Sequence, residues 1–161
     1  MNEKKDLIFF YPSIEIGGLE KNLFSLLNSL SKKKYKIIFI TFKSLNKSKV
    51  RDKLYSLNSK IKVIAPKINI KTNNRFLKYF FCFFILLKLL KKNQNLLISF
   101  QSNILAIVAA KLKNTKVIIR CNTAPSKYIS NYVKKYFFKI FYSFSDQILV
   151  TSNDFKIEIK K

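Results

Sequence analysis

"IGGLEKNLFSLLNSLSKKKYKIIFITF", residues 16–42, decides how the chain is organised. Its first half places Leu19, Leu23, Leu26, Leu27 and Leu30 on one face of a helix. Its second half, residues 36–42, is a near-continuous apolar run of the kind a parallel sheet buries on both faces. A similar run, "LIFFY" at residues 7–11, precedes it. Strand, glycine turn, helix and strand together make the first unit of a parallel α/β sheet.

The same alternation continues along the chain. Residues 61–65, 96–100, 116–120 and 147–152 read as further strands, and residues 73–92, 103–113 and 127–143 as helices. With a short helix between the second and third strands, the order is β-α-β-α-β-α-β-α-β-α-β. This predicts a single Rossmann-like, doubly wound parallel sheet without internal repeats or a linker. The run "RFLKYFFCFFILLKLLKK" is too short and too often interrupted by lysine to span a membrane, which takes ~20 apolar residues. It reads as a crossover helix with a wide buried face. If one edge stays exposed, it also suits the membrane interface, with Phe and Leu in the acyl boundary and Lys at lipid phosphates.

Composition narrows the function classes. The 161 residues carry 32 Lys and Arg against 8 Asp and Glu, for a formal charge of +24. The joint bias toward Lys, Asn, Ile, Phe and Tyr matches AT-rich codons, which accounts for part of that charge. Yet no acidic residue occurs between Asp52 and Asp146. Such a surface favours nucleic acid, anionic lipid or phosphorylated ligands. The charge is spread over every segment without a nucleic-acid motif, which makes nucleic acid the weaker partner. The chain has no histidine, excluding Cys/His zinc clusters and any histidine base. Cys82 and Cys121 show no pairing pattern and read as free thiols in a reducing cytoplasm. The N-terminus lacks the apolar core and cleavage site of a signal peptide.

In a doubly wound domain, ligands bind beyond the carboxyl ends of the strands. The only two glycines of the chain, Gly17 and Gly18, stand at the first such end and open the first helix. There bare backbone and free helix amides suit an anion; the alternative is an ordinary turn, since no complete phosphate-loop pattern is present. Arg120, Asn122 and Thr123 follow the fifth strand, and Gln101, Ser102 and Asn103 the fourth. Arg120 suits bidentate binding of a phosphate or carboxylate, or stands as a solvated strand-end charge. Asn103 suits a ligand contact or, more simply, a helix cap. Glu20 and Asp146 read as structural. No carboxylate is well placed as a base.

"IGGLEKNLFSLLNSLSKKKYKIIFITF" resembles the opening of the retaining family-four glycosyltransferases of the GT-B fold. "KVIIRCNTAPSKY" resembles their loop after the fifth strand, with Cys121 where many relatives carry glutamate. "FSDQILVTSNDFKIEI" resembles a later segment, with Asp146, Ser152 and Lys156 in register. The three stretches lie in the family's order across nearly the whole chain.

The resemblance implies an N-terminal, acceptor-side domain over residues 1–161, without the C-terminal donor-binding domain and inactive alone. It implies that Gly17 and Gly18 face the diphosphate of a nucleotide-sugar, which departs while the acceptor attacks from the same face. Gln101, Asn103, Arg120, Asn122 and Thr123 would line the acceptor side. The acceptor would be a cell-surface glycan or lipid-linked molecule of lipopolysaccharide or capsule assembly. No cofactor or metal is expected. The chain would sit in the cytoplasm, peripheral on the anionic inner face of the plasma membrane. A membrane-docking subunit of a two-chain transferase and a basic nucleic-acid module stand as alternatives.

Overall fold

Apolar runs bounded by polar residues form the strands of the computed structural model, which describes residues 6–14, 18–32, 35–42, 61–66, 74–121, 132–150 and 157. In chain order the elements are β1 (Asp6–Phe10), α1 (Gly18–Lys32), β2 (Ile37–Ile40), β3 (Ile61–Ile64), α2 (Arg75–Leu89), β4 (Asn95–Ser99), α3 (Asn103–Leu112), β5 (Lys116–Cys121), α4 (Tyr132–Ser143) and β6 (Gln147–Val150). The short helix expected between β2 and β3 lies outside the described residues; past β6 only Ile157 is described, and it is helical.

Among the described residues the six strands form one sheet in the order β3-β2-β1-β4-β5-β6, every pair parallel. The doubly wound α/β domain expected from the sequence is therefore the one found. Pairing continues past the strand ends in the middle of the sheet. The Tyr11 amide donates to the Ile40 carbonyl at 3.0 Å, and the Phe100 amide to the Phe10 carbonyl at 3.0 Å.

Alternate residues of the central strands enter two cores. On one face Leu7, Phe9, Ile37, Phe39 and Ile98 pack under Leu23 and Leu27 of α1. Leu23 and Leu27 are wholly buried, and each contributes about 1.5–3 kcal/mol by leaving water. On the other face Ile8, Phe10, Ile38, Ile40, Leu97, Val117 and Ile119 meet Cys82 and Leu86 of α2 and the small residues of α3. Ala106, Ala109 and Ala110 let α3 lie close to the sheet, between α2 and α4. The edge strands β3 and β6 are only half covered.

The helix ends explain most boundary differences. Asn74 caps α2, which begins at Arg75: its side-chain oxygen accepts from the Phe76 amide at 2.9 Å. The cap position of α3 is Ser102, in the left-handed region (φ 59°, ψ 46°), so Asn103 is the first helical residue and not the cap. Asn93 and Asn114, which follow α2 and α3, also have positive φ. In a chain with two glycines, asparagine takes the left-handed turns that glycine usually fills.

Candidate functional site

Because all strands run in parallel, their carboxyl ends share one edge, and each helix begins there. The connections turn one way from β1 to β2 and the other way from β4 to β5, so the switch point lies between β1 and β4. A crevice at that position is where doubly wound sheets bind ligands. Its walls are Tyr11–Ile14 after β1, the start of α1 at Gly18, residues 100–103 after β4, and Arg120 with Cys121 closing β5.

Hydrogen bonds tie these ends together. Gln101 reaches back so that its Oε1 accepts from the Ser13 amide at 2.8 Å. Tyr11 donates its hydroxyl to Glu20 Oε1 at 2.6 Å, with both side chains buried. That bond fixes the first turn of α1 against the end of β1. Gly18 opens the helix without a positive φ, so its backbone is not left-handed. Glu20 is thus committed to Tyr11, and Asp146 Oδ2 accepts from the Val117 amide at 2.8 Å at the opposite edge of the sheet.

Arg120 leans across from β5 onto β4. Its guanidinium carbon lies 5.1 Å from the centroid of the Phe100 ring, within cation–π range. Phe100 is held in turn between Phe9 and Tyr11, with centroids 6.1 and 6.2 Å away. The contact holds the guanidinium at the ends of β4 and β5, and its planar fork suits an anionic or polyhydroxyl ligand.

Asn103 turns inward. The Ser99 hydroxyl lies 2.8 Å from Asn103 Oδ1 and 3.1 Å from the Gln101 carbonyl, sharing its one proton between them. Asn103 Nδ2 donates to the Arg120 carbonyl at 3.0 Å and lies 3.5 Å from the Tyr142 hydroxyl. Asn103 therefore braces the ends of β4 and β5, whereas Gln101 keeps its amide nitrogen without a partner among the described residues. Gly17, Asn122 and Thr123 lie outside the described residues.

Tyr11, Ser13 and Phe100 complete the crevice, although nothing in the sequence singled them out. Their signal was position alone, one to three residues beyond the last paired residue of a strand. Burial pushes the Cys121 thiol up to about 11, with a hydrogen bond from Tyr142 pulling weakly the other way; burial pushes Cys82 up to about 12. Neither thiol is a nucleophile at neutral pH. Among the described residues no group of His, Cys, Asp and Glu could hold a metal ion.

A family model described as Glycosyltransferase Family 4 matches residues 16–161. The chain belongs to glycosyltransferase family 4. Its fold is one half of a GT-B glycosyltransferase: the domain superposes on a crystal structure of Anabaena HepE in complex with UDP and glucose, with a TM-score of 0.66 at 9% identity. That alignment covers 97% of this chain and 40% of HepE, so the family-four domain described here spans about two fifths of its neighbour's length. A search of curated proteins gives no match.

Proposed function

We propose that the chain is the acceptor-side half of a retaining glycosyltransferase, of hexosyltransferase type, which transfers a sugar from a nucleotide-sugar to a cell-surface glycan or lipid-linked acceptor. The observation that carries this reading is the β1/β4 switch point, at whose carboxyl edge the opening of α1 at Gly18, Gln101 and the Arg120–Phe100 stack all stand. Family membership supports the reaction class, and UDP and glucose in the HepE complex are consistent with a nucleotide-sugar donor.

The donor diphosphate lies against the backbone of Gly17 and Gly18, where helix amides offset the charge that develops as it leaves. The acceptor lies along Gln101, Arg120, Asn122 and Thr123, with Asn103 holding the strand ends beneath it. Gln101 offers an amide donor to a sugar hydroxyl, and Arg120 meets a phosphate or carboxylate of the acceptor. What these residues supply is positioning and charge stabilisation. The described carboxylates, Asp6, Glu20 and Asp146, are all engaged elsewhere. On this reading, transfer takes a donor-binding domain beside the acceptor-side half. Its acceptor belongs to lipopolysaccharide or capsule assembly, and it works in the cytoplasm, peripheral to the inner face of the plasma membrane.

Saturation-transfer NMR with acceptor-type glycans and lipid-linked oligosaccharides tests this reading on the chain itself. Signal from the glycan should be lost in Arg120→Gln while the melting temperature holds. Lys36→Gln, at the far edge of the sheet, should bind like the wild type. Equal binding by Arg120→Gln would refute the placement of the acceptor.

A second reading, a membrane-docking subunit of a two-chain transferase, is favoured by one observation. The crossover helix α2 exposes Phe76, Leu77, Phe80 and Phe84.

A further inference from the structure

Helix α2 meets the sheet through Cys82 and Leu86. Phe76, Phe80 and Phe84 recur every four residues on the side turned away from that contact, at 83%, 54% and 47% exposure. Phe80 and Phe84 stack edge to face at 4.7 Å, so the stripe is a continuous aromatic ridge. Lys88 continues it one turn on, and Lys91 and Lys92 follow, all exposed.

Helix α4 repeats the arrangement on the same face of the sheet. Tyr142 packs inward, while Tyr136, Phe137 and Ile140, with Phe144 just beyond the helix, stand exposed on the opposite side. Lys135 and Lys139 are also exposed, on the flank of the helix nearer Tyr142. Between the two helices lies α3, small and close to the sheet. No acidic residue occurs in α2, α3 or α4.

Exposed aromatic ridges mark an interaction surface, and the sign of the charges around them restricts the partner. Here every formal charge on the three helices is positive. We propose that the outward faces of α2 and α4 together form one docking surface for an anionic lipid bilayer, with the Phe and Ile side chains in the acyl boundary and the lysines at headgroup phosphates. Both helices begin at the carboxyl edge of the sheet, and exposure along the α2 ridge rises toward that end. The bilayer thus meets the molecule beside the crevice rim, where a lipid-linked acceptor would arrive. This deepens the peripheral placement proposed above but does not require sugar transfer, so either can fail alone.

The chain contains no tryptophan, which makes Phe80→Trp a clean fluorescent reporter. The 161-residue chain should float with phosphatidylglycerol vesicles and not with phosphatidylcholine vesicles. The Trp emission should shift to the blue on the anionic vesicles and stay unmoved on heparin, a polyanion without an apolar phase. Binding should weaken when salt rises from about 0.1 M to about 1 M, where the screening length falls from about 10 Å to about 3 Å. Serine at Phe76, Phe80 and Phe84, or at Phe137 and Ile140, should each reduce partitioning by about tenfold or more. The side chains removed are exposed, so the melting temperature serves as the folding control. Equal flotation on neutral vesicles, or vesicle binding without a blue shift, would overturn the proposal. So would a dimer that the serine variants convert to monomer while vesicle binding is absent, since the ridge would then join two copies of the chain.

Discussion

Tyr11→Phe isolates the bond that holds α1 to the end of β1. The hydroxyl lies 2.6 Å from Glu20 Oε1, and both residues are about 95% buried, so water cannot replace the lost donor. Phenylalanine keeps the ring and its contact with Phe100 at 6.2 Å, so packing changes little. What remains is the loss of one hydrogen bond to a carboxylate, worth about 1.5–3 kcal/mol. In a chain of this size that should lower the melting temperature by about 3–12 °C. Urea unfolding followed by circular dichroism gives the free energy, and a cycle with Glu20→Gln separates the pair from its surroundings. The reasoning requires a coupling energy of about 1 kcal/mol or more between the two positions. A loss below about 0.5 kcal/mol in Tyr11→Phe, or simple additivity with Glu20→Gln, would refute it.

Other outcomes follow from the same geometry. Because Gly18 lacks a positive φ, Gly18→Val should cost no more than about 1 kcal/mol in stability. If bare backbone cradles the diphosphate, the same change should remove most transfer once the chain is joined to a donor-binding domain. Turnover and melting temperature on one preparation decide this, and a folded, fully active variant would end the phosphate reading. Asn103→Leu leaves the Arg120 carbonyl short of a donor, while Ser99 keeps the Gln101 carbonyl; it should cost about 1–3 kcal/mol in chemical denaturation. The buried thiols of Cys82 and Cys121 titrate near 12 and 11 in the folded chain against 9.0 unfolded. Folding therefore holds their protons more tightly, and stability present below pH 9 should be lost as pH rises toward 11–12, by about 1.4 kcal/mol per unit for each thiol. Cys82→Ala should flatten that slope relative to wild type, and a thiol reagent at pH 8 should label neither cysteine before unfolding.

The fold was legible because its signals are strong and local. Near-continuous apolar runs such as "LIFFY" and "LLISF" admit little but buried parallel strands, and the leucine spacing after Gly18 admits only a helix. Strand starts were read one residue late at Asp6 and Asn95, since polar side chains carry no apolar signal while their backbones still pair. The site was legible only as far as strand ends go. That rule placed Gln101 and Arg120 at the crevice. It could not show that Asn103 would be consumed in bracing β4 and β5, because an amide reads alike whether it faces a ligand or a neighbouring carbonyl. The Tyr11–Glu20 bond and the Arg120–Phe100 stack join positions 9 and 20 residues apart, and nothing in the sequence marks either pair.

The bonds from Ser13 to Gln101, from Ser99 to Asn103 and from Asn103 to the Arg120 carbonyl cross from β1 to β4 to β5. They rivet three strand ends into a single rigid bar. Such a rim does not yield loop by loop: its amides should exchange with solvent together, in one opening event, and a ligand must fit the bar as it stands. Changes of preference among acceptors then arise from exchanging the side chains mounted on the bar, such as Arg120, more readily than from bending it.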